Sequence, residues 1–336
     1  MQKEEIKYVI ERIEHLEKIF DEVKNSFENE PDFFENENMA KKVSLLTQYM
    51  DSGQWLRDYS LDEKGELPKE LKRGILSEDG LYNLICDIEQ GKKRKANPLF
   101  KFFKKDEILF AVFWIIIYVL GFGNSDTLSE SIGIPKLITV IFGILLSAGI
   151  LFFTKTNNLS EYFGLCKPQK SAREFLFYIP LVIISSVNLW FGFTSEISPV
   201  TAVLSVLSMF LVGFLEEIIF RGMLFNGMAK NGVKTAIIVS SLTFGFGHIV
   251  NLLFGAPVFE TLLQLVYASA VGFCYTAIFY RGKSIVPCIV SHIFVNSTSV
   301  FTLQPSAEIF VISTVIQTVL GIGYGIFILK KKEARA

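Results

Sequence analysis

The spacing of apolar side chains changes character along the chain, and the change falls near residue 105. Before it, apolar residues return at steps of three and four. Ile6, Ile10, Ile13, Leu16 and Phe20 make such a stripe, which predicts an amphipathic helix with one face in a small core. The segment "LSEDGLYNLICDIEQ" (76–90) predicts a second helix, with Ser77 as its N-cap. Beyond Lys105 the polar positions thin out into short gaps between apolar runs. Most runs approach the ~20 residues a helix needs to cross a bilayer core. Eight spans are predicted, at about 107–122, 137–153, 174–192, 200–225, 234–253, 260–280, 284–302 and 308–329. The expected fold is all-α: a polytopic membrane helix bundle over 106–332, preceded by a soluble helical domain with a basic linker over 1–105.

Composition agrees with that division. Half of the 336 residues are hydrophobic and 32 are Phe, which is unlike a soluble domain. The net charge of −1 hides an uneven distribution of Lys and Arg. Lys104 and Lys105 precede the first span, and Lys155, Lys167, Lys170 and Arg173 lie between the second and third. Lys230 and Lys234 separate the fourth and fifth, Arg281 and Lys283 the sixth and seventh, and Lys330, Lys331 and Lys332 follow the eighth. The alternate loops carry only Lys136. Basic residues collect in cytoplasmic loops, so this alternation predicts a multi-pass protein of the cell membrane with both termini in the cytoplasm. The basic, aromatic linker "GKKRKANPLFKFFKK" suits an anionic headgroup layer. The opening "MQKEEIKYVIERIEHLEK" is charged throughout and does not read as a secretory signal. Cys86, Cys166, Cys274 and Cys288 show neither paired nor metal-type spacing, so ordinary packing is expected of them.

Several ionisable groups lie inside the spans, where each costs a few kcal/mol and is usually paired and functional. Glu216, Glu217 and Arg221 fall in the fourth span, His248 in the fifth, and His292 with Asn296 in the seventh. Glu217 and Arg221 are four apart and share a helix face, whereas Glu216 is offset by about 100°. A turn at Lys230–Gly232 would place Glu216 and His248 at nearly equal depth, roughly 20 Å in from the turn. His292 and Asn296 lie about 12 and 18 Å along the seventh span by the same rise. Gly245 and Gly247 beside His248 would allow close helix approach, and Phe244 would serve packing.

A carboxylate beside an imidazole can take a proton from water and so drive hydrolysis. A second imidazole with an amide can donate to a developing oxyanion. A serine nucleophile is poorly supported, because Ser291 and Ser297 lack a Gly-x-Ser-x-Gly setting. No His-Glu-x-x-His occurs, and no cofactor is favoured, although two histidines and a carboxylate leave a divalent metal such as zinc open. Two other classes use the same residues: a non-enzymatic immunity or scaffold protein, with the cluster as interhelical glue, and a proton-coupled transporter.

The intramembrane residues resemble the three motifs of the CAAX protease and bacteriocin-processing (CPBP) family of intramembrane proteases. Two glutamates and an arginine appear as Glu216-Glu217-IIF-Arg221, Phe-x-x-x-His as Phe244-GFG-His248, and His-x-x-x-Asn as His292-IFV-Asn296. The resemblance covers roughly Phe175 to Phe327 and implies an endopeptidase acting on a peptide or membrane-anchored protein. It implies that Glu216 and His248 activate water, that His292 and Asn296 stabilise the oxyanion, and that Glu217 and Arg221 organise the site. Such a site is expected to open to the cytoplasmic side. Family members act with or without metal by different descriptions, and bacterial ones are connected with bacteriocin maturation or immunity. The stretch "QWLRDYSLDEKGELPKELKRGILSEDGLYNLI" resembles a small uncharacterised helical domain of bacterial proteins that carries no known chemistry; its plain reading is an interaction or regulatory module, with a protein partner expected. The lipid bilayer and a peptide substrate, not nucleic acid, are the other partners expected.

Overall fold

The computed structural model describes residues 2–330 apart from 31, 32, 78 and 195. It is helical throughout, and the described residues form no strand beyond one isolated bridge, Phe193 to Thr302. The chain divides into two compact units, Met1–Lys101 and Phe102–Ala336.

The first unit packs α1 (Gln2–Asn29), α2 (Glu37–Asp51), α3 (Gln54–Glu63) and α4 (Gly80–Ala96). Ile13, Leu16 and Phe20 are buried as their spacing requires, with Val9, Ile19 and Val23 beside them. Two buried carboxylates tie the helices together. Asp58 accepts from the Arg12 guanidinium and from the Tyr49 hydroxyl at 2.7 Å. Burial, and then that hydrogen bond, push the Tyr49 phenol well above its ordinary range. Glu17 accepts the backbone N–H groups of Gly74 and Ile75 at 3.0 and 2.7 Å. Helix α4 begins at Gly80 rather than beside Ser77, so Ser77 is not its N-cap; the Ser77 carbonyl instead accepts from the Gly80 N–H at 3.2 Å.

A short helix, α5 (Pro98–Lys105), leads to the membrane unit. There follow α6 (Glu107–Ser131), α7 (Leu137–Thr156), α8 (Ile179–Ser185), α9 (Pro199–Glu217), α10 (Asn226–Ala229), α11 (Val233–Gly247), α12 (Val258–Gly282), α13 (Val286–Ser299) and α14 (Ala307–Lys330). A π-helical stretch, Ile218–Phe225, joins α9 to α10, so that Pro199–Ala229 is one continuous rod. Six helices are long and apolar enough to cross a membrane. Large apolar side chains such as Ile116, Leu145, Phe152 and Val319 cover the outside of this unit, as lipid-facing surfaces require.

Two of the eight expected spans differ. The 174–192 segment is not one helix but a 3-10 stretch, Ala172–Tyr178, then α8, then a second 3-10 stretch, Val187–Trp190. Pro180 lacks an N–H and sits in the first turn of α8, a position that suits a helix start and not a helix interior. The seventh span is reduced to the 14 residues of α13, about 21 Å at the helical rise. The two compensate each other by running side by side. The Gln169 N–H donates to the Gly282 carbonyl at one end, and the Thr194 N–H to the Phe301 carbonyl at the other. Between them Asn188 bonds the Val295 carbonyl and Ser185 meets Ser291, each at 2.5 Å. The broken segment therefore traverses the same depth as α13, and the chain still passes eight times between two faces.

One of those faces collects the basic loops. Lys230 pairs with Glu107 at 2.6 Å, and the Ile285 N–H donates to the Gly164 carbonyl at 2.9 Å. These contacts put the loops after α7, α10 and α12 beside the start of α6. Lys330 ends α14 on the same side, where Tyr324 donates to the Phe175 carbonyl; Lys331 and Lys332 lie outside the described residues. The alternation of charge read from the sequence thus corresponds to a real segregation in space.

Close approach of α9 and α13 depends on Gly213. A Cβ there would stand 2.9 Å from the Ile293 backbone nitrogen and 3.1 Å from its Cα. Backbone cannot move aside as a side chain can. Gly213→Val should cost about 1–3 kcal/mol by overpacking, read as a lower unfolding temperature in detergent; an unchanged temperature would remove Gly213 from this role.

Candidate active site

The π-helical stretch places eight successive residues, Ile218 to Phe225, in the interior. A π turn widens the helix and is common at functional sites. Here it accompanies a guanidinium buried with no exposure: Arg221 donates from Nη1 to Glu217 Oε1 at 3.0 Å, and both side chains are 0% exposed. Two rings cover the charge, Phe244 with the guanidinium carbon 4.0 Å from its centroid and Tyr275 at 5.4 Å. Phe244, expected to serve packing, thus also supplies a cation–π face. Gly272 leaves room for this arrangement, since a Cβ there would meet Arg221 Nη2 at 3.1 Å and Phe244 at 3.0 Å.

The same Glu217 oxygen lies 2.8 Å from His292 Nδ1. A carboxylate partner assigns the proton on Nδ1 to the histidine. Nε2 then faces Glu216, whose Oε2 is 3.4 Å away. The other Glu216 oxygen accepts from the Tyr118 hydroxyl at 2.5 Å. A chain of contacts therefore runs Arg221–Glu217–His292–Glu216–Tyr118 across the unit. Glu216 and His248 are expected at nearly equal depth, but the imidazole that pairs with Glu216 is His292. His248 begins the 3-10 stretch His248–Phe254, which turns it off the α11 axis, and its ring packs edge-on to Phe244 at 5.7 Å. Of the two glycines beside it, Gly245 does permit close approach, to Ser269 of α12, whereas Gly247 has open space around it.

A cavity of about 730 Å³ adjoins this chain. Glu216, His248, His292 and Asn296 line it; Glu217 and Arg221 stand behind the wall. The side chains of His248 and Asn296 have no hydrogen-bond partner among the described residues and face the same space. From the cluster the cavity reaches Glu130, Phe254, Ser299 and Phe310, all near the face opposite the basic loops. The half of the unit on the side of the basic loops is filled. Phe163, Phe175, Phe279 and Ile285 are buried there. Gly164 and Cys166 are bonded to 283–285, so the loop after α7 forms a plug.

Tyr118 and Tyr275 gave no signal in the sequence, and Ser291 was weighed there only as a poorly supported nucleophile. Tyr118 is one aromatic in an apolar run on α6, and only the fold shows that it reaches Glu216. Tyr275 meets Ser291 at 2.7 Å, which gives Ser291 a structural partner in place of a nucleophilic setting. Among the described residues no group of three His, Cys, Asp or Glu side chains is arranged to hold a metal ion.

The six candidate residues all lie within one family match. Residues 198–298 match the family described as type II CAAX prenyl endopeptidase Rce1-like. The membrane unit carries an Rce1-like segment. Its limits run from the N-cap of α9 to the last turn of α13, which are the helices that bring Glu216, Glu217 and His292 together. Residues 13–94 match a domain of unknown function, DUF4298, which covers most of the first unit. No curated protein and no solved structure matches the chain. The Rce1-like match indicates a peptidase of the CAAX type at the level of the family, carried by a multi-pass helical bundle.

Removal of one partner from a buried ion pair leaves the other charge uncompensated. Arg221→Met should therefore destabilise the unit by about 3–5 kcal/mol. Phe244→Leu should cost only about 2 kcal/mol, the scale of a desolvated cation–π contact. Thermal unfolding of both variants in detergent checks the order; equal losses would deny the ion pair its rank.

Proposed function

We propose that the protein is an intramembrane endopeptidase that hydrolyses peptide bonds with water activated by Glu216. The observation that carries this reading is the cavity wall, on which Glu216 meets His292 while His248 and Asn296 face it unengaged. A water held by Glu216 and His248 gives its proton to the carboxylate as its oxygen attacks the scissile carbonyl. The oxyanion that forms accepts from the Asn296 amide. His292 stands next to Glu216 with its Nδ1 proton fixed by Glu217. It can take the proton from Glu216 through Nε2, help stabilise the oxyanion, and return the proton to the departing amine. Arg221 bonds Glu217, and Glu217 orients His292, as the triad logic of nucleophile, base and orienting group asks of the last member. Tyr118 holds Glu216 in place by its hydrogen bond and is a positioning residue.

The substrate is a peptide or the end of a membrane-anchored protein, as the Rce1-like match supports. Residues 13–94, matching the domain of unknown function, would recruit that substrate or a partner protein.

Purified protein incubated with a quenched-fluorescent peptide library tests the assignment. Glu216→Gln and His248→Ala should abolish cleavage while keeping the wild-type unfolding temperature. Tyr118→Phe should lower kcat by roughly ten-fold, the effect of about 1.4 kcal/mol in the barrier, with KM unchanged. Full activity in Glu216→Gln would end the mechanism.

A further inference from the structure

The cavity and the basic loops lie on opposite sides of the membrane unit, and that opposition says where substrate comes from. The catalytic cluster is the floor. Glu216 stands 17 residues from Pro199, about 25 Å by the helical rise, so it is near mid-membrane. From there the cavity continues only toward the ends of α6 and α13 and the starts of α12 and α14, marked by Glu130, Ser299, Gln264 and Phe310. The other half is closed by the π-helical stretch, the loop after α7 and the rings of Phe163 and Phe279.

Charge then gives the two ends their identity. The closed end carries Lys104, Lys105, Lys155, Lys167, Lys170, Arg173, Lys230, Lys234, Arg281, Lys283 and Lys330. At the open end the described charged residues are Asp126, Glu130, Glu196, Glu260 and Glu308 against Lys136, and Lys136 is itself paired with Asp126 at 2.6 Å. Basic loops stay in the cytoplasm.

We infer that the site is open to the extracytoplasmic side and takes its substrate there: an extended peptide segment, free or attached to the outer leaflet, and not a cytosolic chain end. The lining fits such a ligand. Amides of Asn251 and Gln264, bonded to each other at 3.0 Å, and of Asn188, whose N–H groups bond Val295 and Thr298, lie among Phe122, Phe191 and Phe254; their remaining donors and acceptors can pair with peptide backbone while the rings accept apolar side chains. The substrate class rests on the hydrolytic reading above; the side of entry rests on cavity and charge alone.

Accessibility of an introduced cysteine in intact cells that express the full-length chain decides the side. Cys86 and Cys166 are replaced by Ser, and the buried Cys274 and Cys288 are kept. Thr127→Cys at the mouth and Val250→Cys in the wall should react with a membrane-impermeant cationic thiosulfonate added outside. Lys234→Cys should react only after permeabilisation. Modification of Thr127→Cys and Val250→Cys only after permeabilisation would overturn the proposal; if Val250→Cys does not fold, Ser299→Cys serves in its place. In right-side-out vesicles, quenched-fluorescent peptides should be cleaved when added outside, and cleavage only of peptides trapped inside would also overturn it. Outside labelling as expected with no cleavage on either side would refute the hydrolytic reading and the substrate class, and leave the side of entry standing.

Discussion

The contact between Arg221 and Glu217, made where neither side chain has any exposure, is the constraint around which the membrane unit is organised. An isolated charge at this depth is untenable, so each partner must be matched, and the match fixes everything near it. The guanidinium requires two ring faces, which come from α11 and α12. The carboxylate requires a second donor, which comes from His292 on α13. Four elements are thereby held around one ion pair, and Gly213 and Gly272 supply the space for them to approach. The same interaction that makes the fold specific also prepares an imidazole of defined tautomer beside a second carboxylate.

The division of the two glutamates follows. Glu217 meets both Arg221 and His292 through Oε1, keeps Oε2 buried without a hydrogen-bond partner, and lies behind the cavity wall. Glu216, offset by about 100° on the same helix, reaches the cavity, and its hydrogen-bond and ion-pair partners among the described residues are Tyr118 and His292. An engaged orienting carboxylate next to a cavity-facing one is a way to keep two like groups on adjacent residues in different roles. The broken 172–190 segment belongs to the same design. Its irregular backbone lies against α13 and lines the cavity through Asn188, and non-helical backbone at membrane depth is tolerated where it is covered by protein or faces a cavity.

Most of the fold was legible because membrane burial leaves strong marks. Apolar run length located the helices, and the alternation of basic loops located the two faces. The 174–192 span was misread because hydropathy is blind to backbone: Pro180 changes the path without changing the apolar character of the run. Of the site, charge in lipid made Glu216, Glu217 and Arg221 conspicuous, and the i, i+4 spacing gave the ion pair correctly. Equal depth across a hairpin brought His248 to the cavity that Glu216 also lines but not into a pair with it, because depth says nothing about rotation about the helix axis and a 3-10 stretch begins at His248. Tyr118 and Tyr275 could not be read at all, since an aromatic in an apolar run has no signature until its neighbours are known. The open side of the cavity was equally hidden, being decided by how the loop after α7 folds back onto 283–285.

The central claim is that Glu216, held at the floor of this cavity, makes the chain a peptide-cleaving enzyme of the membrane. The most direct measurement compares membrane-associated and released peptides from cells that carry the wild-type chain or Glu216→Gln at matched levels. The account predicts new peptide termini with the wild-type chain alone and accumulation of their uncut precursors with the folded variant. Identical peptide sets from the two would contradict it.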